Sequence, residues 1–377
     1  MEAATTARPG PLSGVRVVEL AGLGPGPFAT MLLGELGADV IRVDRLGPTG
    51  YFDDAQQFDL LNRGKRSIAL DLKDPDDLGI VQQLIARADI LVEGFRPGVA
   101  ERLGLGPEIC LEANPRLVYG RMTGWGQDGP LSSTAGHDID YISITGALGA
   151  LGSADGPPVV PLNLVGDFGG GGMYLAVGVL AALRHATATG VGQVVDAAIS
   201  DGAAHLMTGT HGLMAAGLWE DRRGNNPVDG GAPYYAVYAT SDARYLAVGA
   251  IEPRFYRMLL DGLGLDLDLS DQDRRETWSE TRSSIAARVA ERTLEEWLQV
   301  FEGSDACVAP VVSIREAADH PHMRARDTLR IQDGMLQAAP APRFSATRTQ
   351  WPSPPPRPGQ HQQEILRELD LTRAYGR

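Results

Sequence analysis

Cysteine is nearly absent from this 377-residue chain, where Cys110 and Cys307 stand far apart. Two distant thiols make no disulfide framework, and neither has a base beside it, so both read as small apolar core residues. Excess positive charge is missing too. With 34 Lys and Arg against 48 Asp and Glu, the net charge is −14. That excludes nucleic acid as a partner, because phosphate backbones need a basic face. No apolar run reaches the roughly 18 residues that cross a bilayer, so no membrane partner is expected. The opening MEAATTARPGPLSG lacks the apolar core of a signal peptide, and the closing AYGR is no targeting address. The expected compartment is cytoplasmic.

What is present is a globular composition, 43% apolar and 22% charged, on a chain long enough for two well-buried domains. VRVVEL (15–20), a Gly/Pro turn, helical periodicity over 28–38 and DVIRVD (39–44) predict strand, turn, helix and strand. SIALDL (67–72), a helix over 76–88 and DILVEGF (89–95) repeat the scheme, and RLVYGRMTGW (116–125) adds a strand. Such alternation implies an α/β fold: a Rossmann-like large domain with a parallel sheet and helices on both faces. The apolar stretch 169–187 predicts a buried helix, and 198–220 a second long one. The Gly, Pro and Asn cluster at 222–233 marks a boundary. Beyond it, 234–251 alternates like a hairpin turning near Ser241–Asp242, and helices over 254–262, 279–288 and 294–303 complete a smaller α+β domain. The expected division is a large domain over 1–197, a linker helix and loop over 198–232 and the small domain over 233–332. An extended, proline-rich segment and a short helix over 333–377 then return to the large domain.

Gly24-Pro25-Gly26-Pro27-Phe28-Ala29 fits the dinucleotide pattern G-x-G-x-x-A, with Asp44 where a ribose acid would stand. Pro25 and Pro27, however, remove N–H donors from the turn that would hold a pyrophosphate. The fold inference survives; a nucleotide cofactor does not. No metal is expected either. His320 and His322 flank one proline, a short turn with too weak a ligand pattern for a metal, and the acidic run 265–273 carries Asp271 where a calcium loop needs Gly.

Polar groups gather in AGHDIDYISITG (135–146) and PLNLVGDFGGGGMYL (161–175). His137 and Asp138 follow Gly136, where backbone can approach a ligand. Asn163 and Asp167 precede the glycine run that opens the apolar helix. A helix N-terminus favours the ionised form of Asp167, while burial opposes it. Glu252 ends an apolar strand, an odd place for a charge without a partner. Taken singly, His137 reads as a structural histidine and Asp167 as a helix cap.

Together these segments resemble the alpha-methylacyl-CoA racemases of the family III CoA-transferase (CaiB/BaiF) superfamily. The likeness runs through GPLSGVRVVELAGLGPGPFA, GADVIRVDR, RGKRSIALDLK, LVEGFRPGVAERLGLG, RMTGWGQDGP, AGHDIDYIS, PLNLVGDFGGGGMYL, DGGAPYYAVY and AVGAIEPRFY. The resemblance implies an isomerase acting on an acyl-CoA thioester, with His137 and Asp167 as acid and base on opposite faces of the α-carbon. It implies Glu252 as the group that orients His137, in cis or in trans, and Asn163 as a hydrogen-bonding neighbour of the reacting centre. Coenzyme A, carried as part of the substrate with no other cofactor, would contact Arg45, Leu70, Asp71, Leu72, Lys73 and Arg96. Further contacts would fall on Gly136, Asp138, Ile139, Asp140 and Tyr141. The implied assembly is an interlocked homodimer.

The same superfamily holds CoA-transferases that form an acyl-aspartyl intermediate, and Asp138 occupies their nucleophile's position. The transferase pattern has Gln four residues later, where this chain has Ile142, and it lacks the neighbouring His. Departures from the racemase pattern are local: Pro227 and Val228 replace Met-Leu, and Ala243 replaces a turn Gly.

Overall fold

The structure, a computed structural model, describes residues 9–47, 52 and 55–371. The chain forms two compact units. The first gathers the described residues among 1–145, 162–206 and 330–377; the second gathers 146–161 and 207–329.

The first unit is built on six parallel strands: β1 (Arg16–Leu20), β2 (Asp39–Asp44), β3 (Arg66–Ala69), β4 (Ile90–Glu93), β5 (Val118–Thr123) and β6 (Gln193–Ala198). Their order is β3-β2-β1-β4-β5-β6, so the chain reverses its direction of travel across the sheet between β1 and β4. In register, Val18 pairs with Ile41 on one side and Leu91 on the other. Parallel strands covered on both faces must be apolar on both, and these are. One face packs Val18, Ile41, Val43 and Leu91 against Ile80, Leu84 and Ile85 of helix α2 (Pro75–Ala86). The other packs Val17, Val40, Ile90 and Val118 against Ala29 and Leu33 of helix α1 (Pro25–Glu35). Each of these helices starts on a proline, whose missing N–H is unpaired in a first turn anyway. Asp74 caps α2 by accepting from the N–H groups of Asp76 (2.9 Å) and Asp77 (3.1 Å). The terminal helix Gln362–Glu368 sets Ile365 and Leu366 into the α2 core, and Glu364 and Glu368 pair with Arg66.

The helix expected over 169–187 is part of a longer run. A π-helical turn over Leu164–Gly172 leads without a break into an α-helix over Met173–Thr189. By length and composition this run could cross a bilayer, but Leu175 and Val179 are fully buried and seat against Gly120 of β5. Only one face is covered; Met173 and Val177 are exposed, contrary to the expectation of full burial. The single helix expected over 198–220 is two, Ile199–Leu206 and Thr208–Ala215.

The second unit contains an antiparallel sheet, Tyr235–Ala239, Tyr245–Gly249 and Val308–Val311 in that order. Its hairpin turns at 240–244, with Ala243 left-handed (φ 56°), the conformation that a glycine adopts freely. Helices Pro253–Leu263, Arg275–Val289 and Leu294–Val300 enclose Tyr256, Trp278 and Trp297.

The expected boundary over 222–233 lies inside this unit. Asn226 is fully buried there, and Asp229 accepts N–H bonds from Gly224, Asn226 and Gly231. The polar residues signal a self-bonded loop, not a linker. Residues 146–161 join the same unit because the Arg223 guanidinium donates to the carbonyls of Gly149, Ser153 and Gly156.

Candidate active site

Open parallel sheets bind ligands outside the carboxyl ends of their strands, where the strand order reverses. In the first unit that position is a cleft of about 640 Å³, lined by residues following β1, β4 and β5. It brings together Arg96, Gly136, His137, Asp138, Asp140, Tyr141 and Asp167 from the sequence expectations.

The short helix α3 (Asp138–Ser143) sets one wall. His137 is its exposed N-cap residue, in extended conformation, and its N–H donates to Asp140 Oδ2 (2.9 Å). That is half of a capping box, and it fixes the backbone from which the imidazole projects. Tyr141 stands edge-on to Trp125 (4.8 Å between centroids), and its hydroxyl donates to the Gly136 carbonyl.

The π-helical turn sets the other wall. It starts at Leu164 instead of 169, so Asp167 lies within the helical run and not before it. A π-turn is made by i→i+5 bonding, seen here as Phe168 N–H to the Asn163 carbonyl (3.2 Å). The glycines let this turn meet its neighbours at backbone distance; a Cβ on Gly170 would lie 2.7 Å from the Ala203 nitrogen. Asp167 is half-buried, and burial pushes its carboxyl above the ordinary value. The Asn163 amide, at 3.4 Å, and the His137 charge oppose that rise, while Asp138 adds to it.

The glycine-rich turn after β1 faces a carboxylate in this geometry. Gly24 (φ 68°) backs directly onto Asp167, whose Oδ2 would lie 3.0 Å from any Cβ placed there. A carboxylate thus stands at the turn where a dinucleotide would need to bring its pyrophosphate. Asp44, the would-be ribose acid, instead accepts from Arg42 (2.8 Å) and Ser67 (2.6 Å).

The other expected residues lie outside the lining. Asn163 is reached only through its bond to Asp167, and Ile139 is exposed on α3. Arg45 follows β2, and Leu70, Asp71, Leu72 and Lys73 follow β3, on the same carboxyl edge of the sheet. Leu70 is buried; Arg45 and Lys73 are exposed. Glu252 belongs to the second unit, exposed at the start of helix Pro253–Leu263.

Sequence reasoning missed the floor of the cleft. Glu19 of β1 lines it yet is only 1% exposed, and it accepts from Lys65 Nζ (2.7 Å), Thr30 Oγ1 (2.6 Å) and Arg42 (3.3 Å). The signal was a carboxylate set between Val18 and Leu20 in the apolar run VRVVEL, the same kind of oddity that flagged Glu252.

If Asn163 stabilises the Asp167 carboxylate, Asn163→Ala should raise the Asp167 pKa further. The acid limb of a kcat/KM profile then moves to higher pH, since more base is needed to ionise the group; an unmoved limb would remove Asn163 from that role.

Comparison with known proteins gives the chain a family. The profile of CoA-transferase family III matches residues 12–362. Alpha-methylacyl-CoA racemase from Mus musculus is 46% identical over 367 residues, covering 96% of this chain and 94% of the mouse protein. The Homo sapiens protein of the same name is 44% identical over 369 residues, with 96% and 94% covered. A CAIB/BAIF family protein from Brucella suis superposes with a TM-score of 0.82 at 26% identity, covering 96% of this chain and all of that one.

Proposed function

The chain belongs to CoA-transferase family III, and we propose that within it the protein is an alpha-methylacyl-CoA racemase, an isomerase interconverting (2R)- and (2S)-2-methylacyl-CoA thioesters. The observation that carries this reading is the pairing of an imidazole and a carboxylate, His137 and Asp167, on one cleft at the sheet's reversal point.

A thioester carbonyl acidifies the hydrogen on its α-carbon, and removal of that hydrogen leaves an enolate. Inversion requires one group to take the proton from one face while a second returns a proton to the other. In this reading His137 and Asp167 exchange those roles, each deprotonated when the other is protonated. Burial that raises the Asp167 carboxyl serves such an exchange, because it brings the carboxyl closer to the range in which an imidazole titrates. Asn163 tunes Asp167 through its amide. Glu252 is assigned to orienting His137.

Coenzyme A arrives as part of the substrate, and the reaction uses no separate cofactor and no metal. Arg45, Lys73 and Arg96 supply the local positive charge its phosphates need in a chain of net charge −14. Leu70, Asp71 and Leu72 would line its path beside them. Gly136, Ile139, Asp140 and Tyr141 are assigned to the end of coenzyme A nearest the thioester. The active form is read as an interlocked homodimer, supported by the exposed apolar side chains Leu164, Met173, Val177 and Leu206 on neighbouring helices. A cytoplasmic location completes the reading.

The test starts from one enantiomer. (2R)-2-methylacyl-CoA incubated with the protein and no acceptor acid should approach equal amounts of both enantiomers. Retention of configuration, together with movement of coenzyme A to an added free acid, would replace this reading with acyl transfer.

A further inference from the structure

Asp138 lies beside the reacting pair, and nothing in the proton transfer uses it. Its Oδ1 accepts the N–H of Asp167 (2.6 Å), and the Gly166 N–H also bonds to the carboxylate. A Cβ on Gly166 would collide with the Asp138 carboxylate and would stand 3.0 Å from Ile142 Cγ2, so only glycine admits this contact. Oδ2 is buried with no hydrogen-bond partner among the described residues. Ile142, standing where a transferase has Gln, is fully buried against the same turn. One oxygen is therefore engaged by the turn that carries Asp167 and the other is enclosed, which presents neither to a thioester carbon.

We propose that Asp138 is a positioning residue for Asp167, anchoring the π-helical turn through its backbone N–H and setting a second carboxyl beside the catalytic one. It is neither an acyl-accepting nucleophile nor primarily a coenzyme A contact. The inference rests on the reading of Asp167 as an acid–base group.

Two consequences separate this role from a merely structural one. The anchor needs only an oxygen acceptor, which an amide supplies. The charge needs an ionised carboxylate; burial raises the Asp138 carboxyl itself, and its ionised form in turn raises that of Asp167. The other groups around the pair are His137, Asp140 and Tyr141 on or beside α3, and Arg96 after β4. On the helix Ile199–Leu206, packed against the turn, they are Asp201 and His205. None of these changes in an Asp138 variant.

Asp138→Asn keeps the acceptor and removes the charge. It should lose far less of kcat than Asp138→Ala, with the acid limb of kcat/KM moved to lower pH. Asp138→Ala loses the anchor as well, and kcat should fall about 100-fold, as for a misplaced reacting group, with KM little changed. Wild-type protein turned over with substrate and quenched with hydroxylamine should yield no acyl hydroxamate from Asp138. The proposal is overturned by an Asp138→Asn limb that stays in place or rises, by Asp138→Asn as inactive as Asp138→Ala, or by acyl transfer trapped on Asp138. Measuring the wild type alongside keeps the two readings apart. A wild type that racemises while Asp138→Asn shows an unmoved limb sinks the role of Asp138 and leaves the racemase reading intact.

Discussion

Replacing His137 or Asp167 by Ala should lower racemisation by about 10²- to 10⁴-fold each, the range supplied by a positioned proton-transfer group. Coenzyme A affinity should stay near the wild-type value, because neither side chain is assigned to the phosphates. The size of the effect follows from the chemistry: inversion passes through both faces of the enolate, so loss of either group blocks the full cycle. Both positions tolerate the change structurally. His137 is exposed, and the N–H that it donates to Asp140 in the α3 cap is retained by alanine. Asp167 is anchored through its N–H, which alanine retains. Chiral analysis of product with a parallel binding titration measures both quantities. Full activity in either variant would refute the assignment.

The largest expected effect on stability is at Lys65. Its ammonium is wholly buried and donates to Glu19 (2.7 Å), the Asn62 side chain (2.9 Å) and the Pro27 carbonyl (3.0 Å). Burial pushes the Lys65 pKa down to about 8, with the Glu19 charge opposing the fall. Burial alone would raise Glu19, but Lys65 and Arg42 overcome it and hold the carboxyl below its ordinary value. Such a pair adds little over a well-packed apolar substitute, yet removing one partner strands the other. Lys65→Met should therefore destabilise the first unit by about 3–5 kcal/mol, read as a lower urea midpoint. Combining it with Glu19→Gln should recover part of the loss, since the stranded carboxylate is gone. A single-variant effect below about 1 kcal/mol would show that Glu19 finds water or another cation.

The bond from Lys65 to the Pro27 carbonyl also ties this pair to the cleft, because α1 begins with the turn that backs Asp167 through Gly24. The same residues that make the sheet floor thus brace one wall of the site.

These particulars show where the sequence was legible. The strands were, because parallel strands buried on both faces are short apolar runs bounded by turns. DVIRVD was read at 39–44, where β2 runs Asp39–Asp44. The hairpin was read at its turn, where Thr240 and Arg244 close the loop. The π-turn was not, because i→i+5 bonding leaves no periodic signature of its own and glycines mask the helix start. Nor was the second unit's claim on 146–161, which depends on one arginine reaching across about 70 positions of sequence to three carbonyls. His137 and Asp167 were visible only as odd polar residues, and what makes them a pair is the crossover that brings both to one cleft. The Lys65–Glu19 pair was hidden because neither RGKRS nor VRVVEL says by itself that the two segments meet, and the fold buries the basic residues of the first.

The most direct test of the two-base account is solvent exchange in the single variants. In D₂O each variant keeps one base and so should wash deuterium into the α-position of one enantiomer only, without inversion. His137→Ala and Asp167→Ala should then exchange opposite hands, (2R) in one and (2S) in the other. If both variants exchange the same hand, or either inverts as fast as it exchanges, two bases on opposite faces of the α-carbon are not how this protein works.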